Sequence, residues 1–348
     1  MNLLVLAPNW LGDAVMALPA IADLRRHFAA ARLTVGGRPS VAPLFAMAPG
    51  VDDVLALPSR AGRGAFDWAP EADRIRGGAF DTAVLLPNSF GSAWMLRHAG
   101  VPERWGAATD FRRPLLTRAV RRPGRRLHQA AYYQAMVAAL GVPNGPCHAR
   151  LHPPATRVTC LPEGRYVVLA PGAAYGTAKQ WPPDRFAALA AQLLASHIAV
   201  VLVGSQADQT TCGAIAARAG AAPAAPAAPG GTADGTPRLV DLSGRTSLAE
   251  LAAVLAGAAA VVSNDSGAMH LAGAVGAPVV AVFGATDERR TAPLTSGPDA
   301  QAPAIVAARA FCRPCLLREC PIDHRCMTRI SPAMVAEAVA RVARPHSP

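Results

Sequence analysis

Lysine is nearly missing from this chain: of 34 basic residues, all but Lys179 are arginine. Most surface sites tolerate drift towards arginine. A lone lysine is then either chance or the mark of a place where a compact ammonium serves and a planar fork does not. Long apolar runs are missing too. None of them reaches the roughly 20 residues of a membrane-spanning helix, although 51% of the residues are hydrophobic. The first residues, MNLLVLAPNWLGDAV, carry no basic region ahead of an apolar stretch and run straight into a strand-like segment. They read as part of the fold and not as a signal peptide, and the expected location is cytoplasmic.

What is present is enough chain, 348 residues, for two domains with separate cores, and a net charge of +11. That charge favours an anionic partner: a nucleotide, a phosphorylated glycan, nucleic acid or an anionic membrane surface. Composition does not choose among them.

The stretch around which the chain is organised is VVSNDSGAMHLAGAVGAPVVAVFG, Val261 to Gly284. Ala259–Ser263 reads as a buried strand, Asn264–Gly267 as a polar turn, Gly267–Val275 as a helix, and Val279–Phe283 as the next strand. Such a turn lies at the carboxyl edge of a parallel sheet. The helix start offers unpaired N–H groups and partial positive charge to a phosphate or diphosphate. Ser266 and Gly267 would face the anion, Asp265 could accept from ribose hydroxyls or cap the helix, and His270 lies one turn in on the same face. An ordinary N-cap on a packed helix is the competing reading.

Earlier in the chain, Leu3–Ala7 reads as a strand, Pro8–Gly12 as a turn and Asp13–Phe28 as a helix, with further strands at Leu33–Val35, Val54–Leu57 and Thr82–Leu86. The alternation predicts a parallel, doubly wound α/β sheet. Asp13 is either a helix cap or a carboxylate that accepts a proton beside the sheet edge. Pro87-Asn88-Ser89-Phe90 puts polar groups at the same edge. Arg97, Arg104, Arg112, Arg113, Arg118, Arg121, Arg122, Arg125 and Arg126 then crowd one region, interleaved with Trp94, Trp105 and Phe111. No nucleic-acid motif accompanies them, so a solvated basic face, or one meeting an anionic acceptor or membrane, is expected.

After the helix His128–Leu140, the stretch Gly141–Pro162 reads as an interdomain linker. A second α/β pattern starts with the strand Tyr166–Ala170 and the loop PGAAYGTAKQWP, Pro171–Pro182. This loop lacks a P-loop ending but carries Lys179 as a candidate phosphate contact beside Thr177. Asp184–Leu194 should be a helix, Ala199–Gly204 and Leu239–Leu242 strands, and Ser247–Leu255 a helix. Ala216–Pro237 is a low-complexity segment expected to be a mobile surface insertion. Cys312, Cys315, Cys320 and Cys326, with His324 among them, suit a structural metal, reduced thiols or a disulfide; cytoplasmic residence weighs against the last.

These pieces in this order, NWLGDAVMALPA with Asp13, LLPNSF, the Tyr132-Tyr133 helix, PGAAYGTAKQWP, SNDSGAMHLAGAVGAPVVAVFG and the cysteine segment ending in Ile330-Ser331-Pro332, resemble the lipopolysaccharide heptosyltransferases of glycosyltransferase family 9. The resemblance implies two Rossmann-like domains facing across a cleft, of the GT-B type. The acceptor domain is expected over residues 1–155 and the ADP-sugar domain over 156–330, with the insertion at 216–237. A terminal helix and tail, 331–348, would pack back on the first domain. The implied donor is ADP-L-glycero-D-manno-heptose, and the acceptor Kdo-lipid A bearing one heptose at the anionic inner leaflet. No cofactor, metal or nucleic acid is expected. Asp13 and Lys179 are the expected catalytic residues; Thr177, Asp265, Ser266, Gly267, Ala268 and His270 would bind the donor; Gly12, Asn88 and Ser89 would line the acceptor side. Another heptosyltransferase of the same family, a sugar-nucleotide epimerase and a nucleic-acid-binding protein are the alternatives.

Overall fold

Apolar runs without polar alternation belong to strands covered on both faces. In the computed structural model, which describes residues 1–58, 67–124, 126–156, 158–220 and 238–344, such runs build two sheets of six parallel strands. The chain divides into two units, Met1–His152 and Pro153–Pro348.

In the first unit the strands are β1 Asn2–Leu6, β2 Arg32–Gly37, β3 Asp53–Ala56, β4 Thr82–Leu85, β5 Glu103–Ala107 and β6 Arg118–Val120, in the order β3-β2-β1-β4-β5-β6. Leu3, Leu4 and Val5 of β1 and Ala83, Val84 and Leu85 of β4 are fully buried at the centre. The expected helix over Asp13–Phe28 is two helices, Leu11–Met16 and Leu18–His27, meeting at Ala17. Pro19 explains the break, because it has no N–H to continue the first helix and is well placed in the first turn of the second. The arginine-rich stretch hides β5 and β6, which the sequence reading did not separate from a basic surface.

The second unit contains β7 Tyr166–Ala170, β8 Ala199–Leu202, β9 Leu239–Asp241, β10 Ala260–Asn264, β11 Val279–Phe283 and β12 Ala304–Ala307, in the order β12-β11-β10-β7-β8-β9. Counted from its own first strand, this is the topology of the first unit again. Ala216–Arg218 of the expected insertion finish the helix Gln209–Arg218, and 221–237 lie outside the described residues.

The terminal helix, Pro332–Val342, packs on the core of the second unit. Val335, Ala338, Val339 and Val342 follow an i, i+3, i+4, i+7 pattern and form one buried stripe. That stripe joins Trp181, Phe186 and Leu189 in a core laid over β10, β11 and β12. Among the described residues, no helix is long and apolar enough to cross a membrane.

In each sheet the strand order reverses once, between β1 and β4 and between β7 and β10. The loops leaving the carboxyl ends of those strands diverge there and leave a crevice, the usual ligand position of such sheets.

Val335 is fully buried. Its replacement by alanine should lower the unfolding free energy of the second unit by about 1–3 kcal/mol. Hydrogen exchange during urea unfolding should show this loss in 153–344 and leave protection in the first unit unchanged.

Candidate active site

At the reversal point of the second unit, Asn264 ends β10 with a fully buried side chain. Its amide accepts from Trp181 N at 3.0 Å and donates to the Pro171 carbonyl at 2.7 Å, so one side chain ties both ends of the glycine-rich loop after β7. The sequence reading put Asn264 in the turn and gave it no task. A contact between residues 83 and 93 positions apart leaves no local pattern to detect.

Inside that loop Gly176 has φ +152° and leads into a single 3-10 turn, Thr177–Lys179. Lys179 Nζ lies 2.7 Å from Asp265 Oδ2, with the two side chains only 15% and 4% exposed. The Thr286 hydroxyl donates to the same oxygen at 2.7 Å. A secluded ion pair needs such extra hydrogen bonds to offset desolvation, and removing either partner leaves the other charge stranded. Tyr175 places its ring 5.0 Å from the ammonium.

Ser266 is the N-cap of the helix Gly267–Ala274 but makes no side-chain cap bond; its Oγ lies 3.0 Å from Ser263 Oγ. The Ser266 side chain therefore does not cap this helix, whose residues from Met269 to Ala274 are buried. His270 follows one turn later and is buried. Thr177 and Lys179 thus come from the loop after β7, and Asp265, Ser266, Gly267, Ala268 and His270 from the turn and first helical turn after β10.

The cysteine segment does something the sequence did not show: it braces the lysine loop. Arg318 O accepts from Ala178 N at 2.9 Å, His324 Nε2 lies 3.0 Å from Ala178 O, and Tyr175 donates its hydroxyl to Leu316 O at 3.1 Å. The Trp181 indole donates to Ile330 O at 3.0 Å. All seven cysteines are free, and burial pushes the Cys326 thiol up, with Cys312, Cys315 and Cys320 adding to the shift. Among the described residues, no group of three or more His, Cys, Asp or Glu side chains is arranged to hold a metal.

At the reversal point of the first unit, Asp13 is the third residue of the helix Leu11–Met16, whose N-cap is Trp10. Asp13 is therefore not the capping residue. It lies in the first turn of that helix. Half-buried Gly12 precedes it. Burial, and then the charge of Asp13, raises the Tyr133 hydroxyl well above its ordinary value, which puts this carboxylate within electrostatic reach of the helix Gln129–Ala139. Across the crevice Asn88 accepts from the Tyr132 hydroxyl at 3.0 Å. Ser89 caps the helix Phe90–His98, accepting from Ser92 N at 3.4 Å, so its hydroxyl has a structural task.

Beneath this loop is an arginine that breaks the expectation of a solvated basic face. Arg112 is fully buried, and burial brings its pKa down to about 10. It donates to the carbonyls of Pro87 at 2.6 Å, Ser89 at 3.3 Å and Ala107 at 2.9 Å, and to Ser92 Oγ at 3.1 Å. The rigid fork thereby fixes the Pro87–Ser89 loop. Arg113, Arg118, Arg121, Arg122 and Arg126 are exposed, as expected, and Arg125 lies outside the described residues.

The glycosyltransferase family 9 (heptosyltransferase) sequence model matches residues 71–325. The chain is 27% identical over 321 residues to lipopolysaccharide heptosyltransferase 2 of Escherichia coli K12, covering 85% of this chain and 86% of that protein. It is 30% identical over 316 residues to lipooligosaccharide heptosyltransferase 2 of Haemophilus influenzae Rd, with the same coverage. Among solved structures, the ADP-heptose lipopolysaccharide heptosyltransferase II of E. coli matches with a TM-score of 0.77 at 25% identity, over 98% of each chain.

A Cβ added at Gly176 would stand 2.3 Å from the Arg318 carbonyl oxygen, a backbone atom that cannot turn away. Gly176→Ala should therefore cost about 1–3 kcal/mol of stability and displace the lysine loop. Thermal unfolding and the backbone amide shift of Ala178 check both effects.

Proposed function

The chain belongs to glycosyltransferase family 9, the heptosyltransferases, and on that premise we propose that its second unit binds ADP-L-glycero-D-manno-heptose and its first unit binds the lipid-linked acceptor. The enzyme is a glycosyltransferase with a GT-B type α/β fold, and its reaction is heptosyl transfer in the synthesis of the lipopolysaccharide core. The observation that carries the donor assignment is the Lys179–Asp265 pair at the uncapped start of the helix Gly267–Ala274.

In the proposed reaction an acceptor hydroxyl attacks the anomeric carbon of the heptose from the face opposite ADP. The bond from that carbon to the diphosphate oxygen breaks as the new glycosidic bond forms, so configuration inverts. Asp13 takes the proton of the attacking hydroxyl. ADP leaves with the electron pair, and its growing negative charge meets the Lys179 ammonium and the N–H groups of Gly267 and Ala268. Those groups supply the positive charge that the departing diphosphate needs, so the reading calls for no metal. In this reading Asp265 orients Lys179, and Thr177 and His270 hold the diphosphate or ribose.

The acceptor we assign is Kdo-lipid A bearing one inner-core heptose, reached at the cytoplasmic face of the inner membrane. Relatives named heptosyltransferase 2 support that choice. The exposed arginines at 113, 118, 121, 122 and 126, with Phe111 at 96% exposure beside them, support an anionic surface as the meeting place. A transfer assay with acceptors carrying either no heptose or one tests the assignment: turnover is expected only with one.

Asp13→Asn should preserve the fold and donor affinity and reduce kcat by about 10²- to 10⁴-fold, because the amide cannot take the proton. Wild-type kcat in this variant would reduce Asp13 to a structural residue.

Lys179→Arg keeps the charge but brings a wider, planar group into a loop that is pinned at both ends. Turnover should fall about 10- to 100-fold, while donor affinity measured by calorimetry changes only a few-fold. Unchanged turnover would mean that the lone lysine is an accident of composition.

A further inference from the structure

Thr286 has two sides. Its hydroxyl is given to Asp265, and the residue also lines an open cavity of about 730 Å³, within the range of small-molecule sites. Arg289, Arg309, Arg313, Arg329 and Phe311 line the same cavity, with Asp287 and Glu288 as its carboxylates.

The four arginines do not share one task. Arg313 is committed to the wall: it pairs with Glu288 at 2.7 Å and donates to the carbonyl of Gly284 at 2.7 Å. Arg329 donates one Nη to Arg309 O at 3.2 Å, which leaves the rest of its fork available. Among the described residues, the guanidinium groups of Arg289 and Arg309 make no hydrogen bond or ion pair. Asp287 accepts from Arg289 N as the cap of a short helix. With Glu288 matched by Arg313, the cavity retains three cations against one carboxylate.

Phe311 is 78% exposed, and the Arg325 guanidinium lies 5.0 Å from the centre of its ring. A large exposed aromatic beside forked cations is what a saccharide with an acidic substituent needs. The ring packs against sugar C–H groups, and guanidinium forks take a carboxylate or phosphate.

We propose that this cavity is a subsite for an acidic pyranose of the acceptor glycan, held by Arg309, Arg329 and the ring of Phe311 and delivered beside Asp265 by the Thr286 wall. The proposal rests on the donor reading of the second unit. It adds that this unit also grips the acceptor, through a sugar carrying carboxylate or phosphate.

Calorimetric titration of the full-length protein tests it with three probes: 3-deoxy-D-manno-octulosonic acid, mannose 6-phosphate and neutral mannose. At least one acidic sugar should bind the wild type while mannose does not. Arg309→Gln should weaken that binding about tenfold, and Phe311→Leu should weaken it too, both with unchanged ADP affinity. Both positions are on the surface, so the variants should fold, and ADP titration of each variant verifies that they do. Absence of binding by both acidic sugars, or equal binding by wild type and both variants, would overturn the subsite. Loss of ADP binding in the wild type with acidic-sugar binding intact would sink the donor reading and leave the subsite standing.

Discussion

One carboxylate oxygen holds the second unit's site together. Asp265 Oδ2 is reached by the Lys179 ammonium and the Thr286 hydroxyl at the same distance of 2.7 Å. It therefore joins the loop after β7, the turn after β10 and the loop after β11. Two charges withdrawn from water are costly unless their hydrogen bonds are met, and here the third partner meets that need. The arrangement also sets the chemistry. On the proposed reading, an ammonium held by one partner keeps N–H directions for a diphosphate, beside the start of the helix Gly267–Ala274.

The parts of this fold legible in the sequence are those set by local pattern. Leu3–Leu6, Tyr166–Ala170, Ala260–Val262 and Val279–Phe283 are uninterrupted apolar runs, and the structure buries all of them in their sheets. The motif turns were legible because ligand loops in doubly wound sheets follow strands, so a polar turn after an apolar run is already half an argument. β5, β6 and β12 were not. Each has half-exposed or exposed positions, and in β5 and β6 arginine interrupts the apolar signal.

The less legible residues act at long range. Arg112 sits in a run of arginines that composition alone would leave on the surface, yet carbonyls from two loops surround it. Asn264 and Thr286 have ordinary identities, and only their partners reveal them. The terminal helix is legible only in part. Its apolar stripe was readable, but a stripe says that a face is buried and not against which core.

The amide of Asn264 turns the stretch from Pro171 to Trp181 into a ring, closed by one acceptor and one donor on a single planar group. A ring of this kind is a measured length. A residue inserted or deleted anywhere within it moves one end off the amide, strands a polar group in the core and rotates the lysine away from its oxygen. Substitutions at its outward positions leave the perimeter intact. Across descendants of this chain, then, the number of residues in that stretch is the quantity under constraint, and their identities are free to drift wherever no backbone contact opposes them.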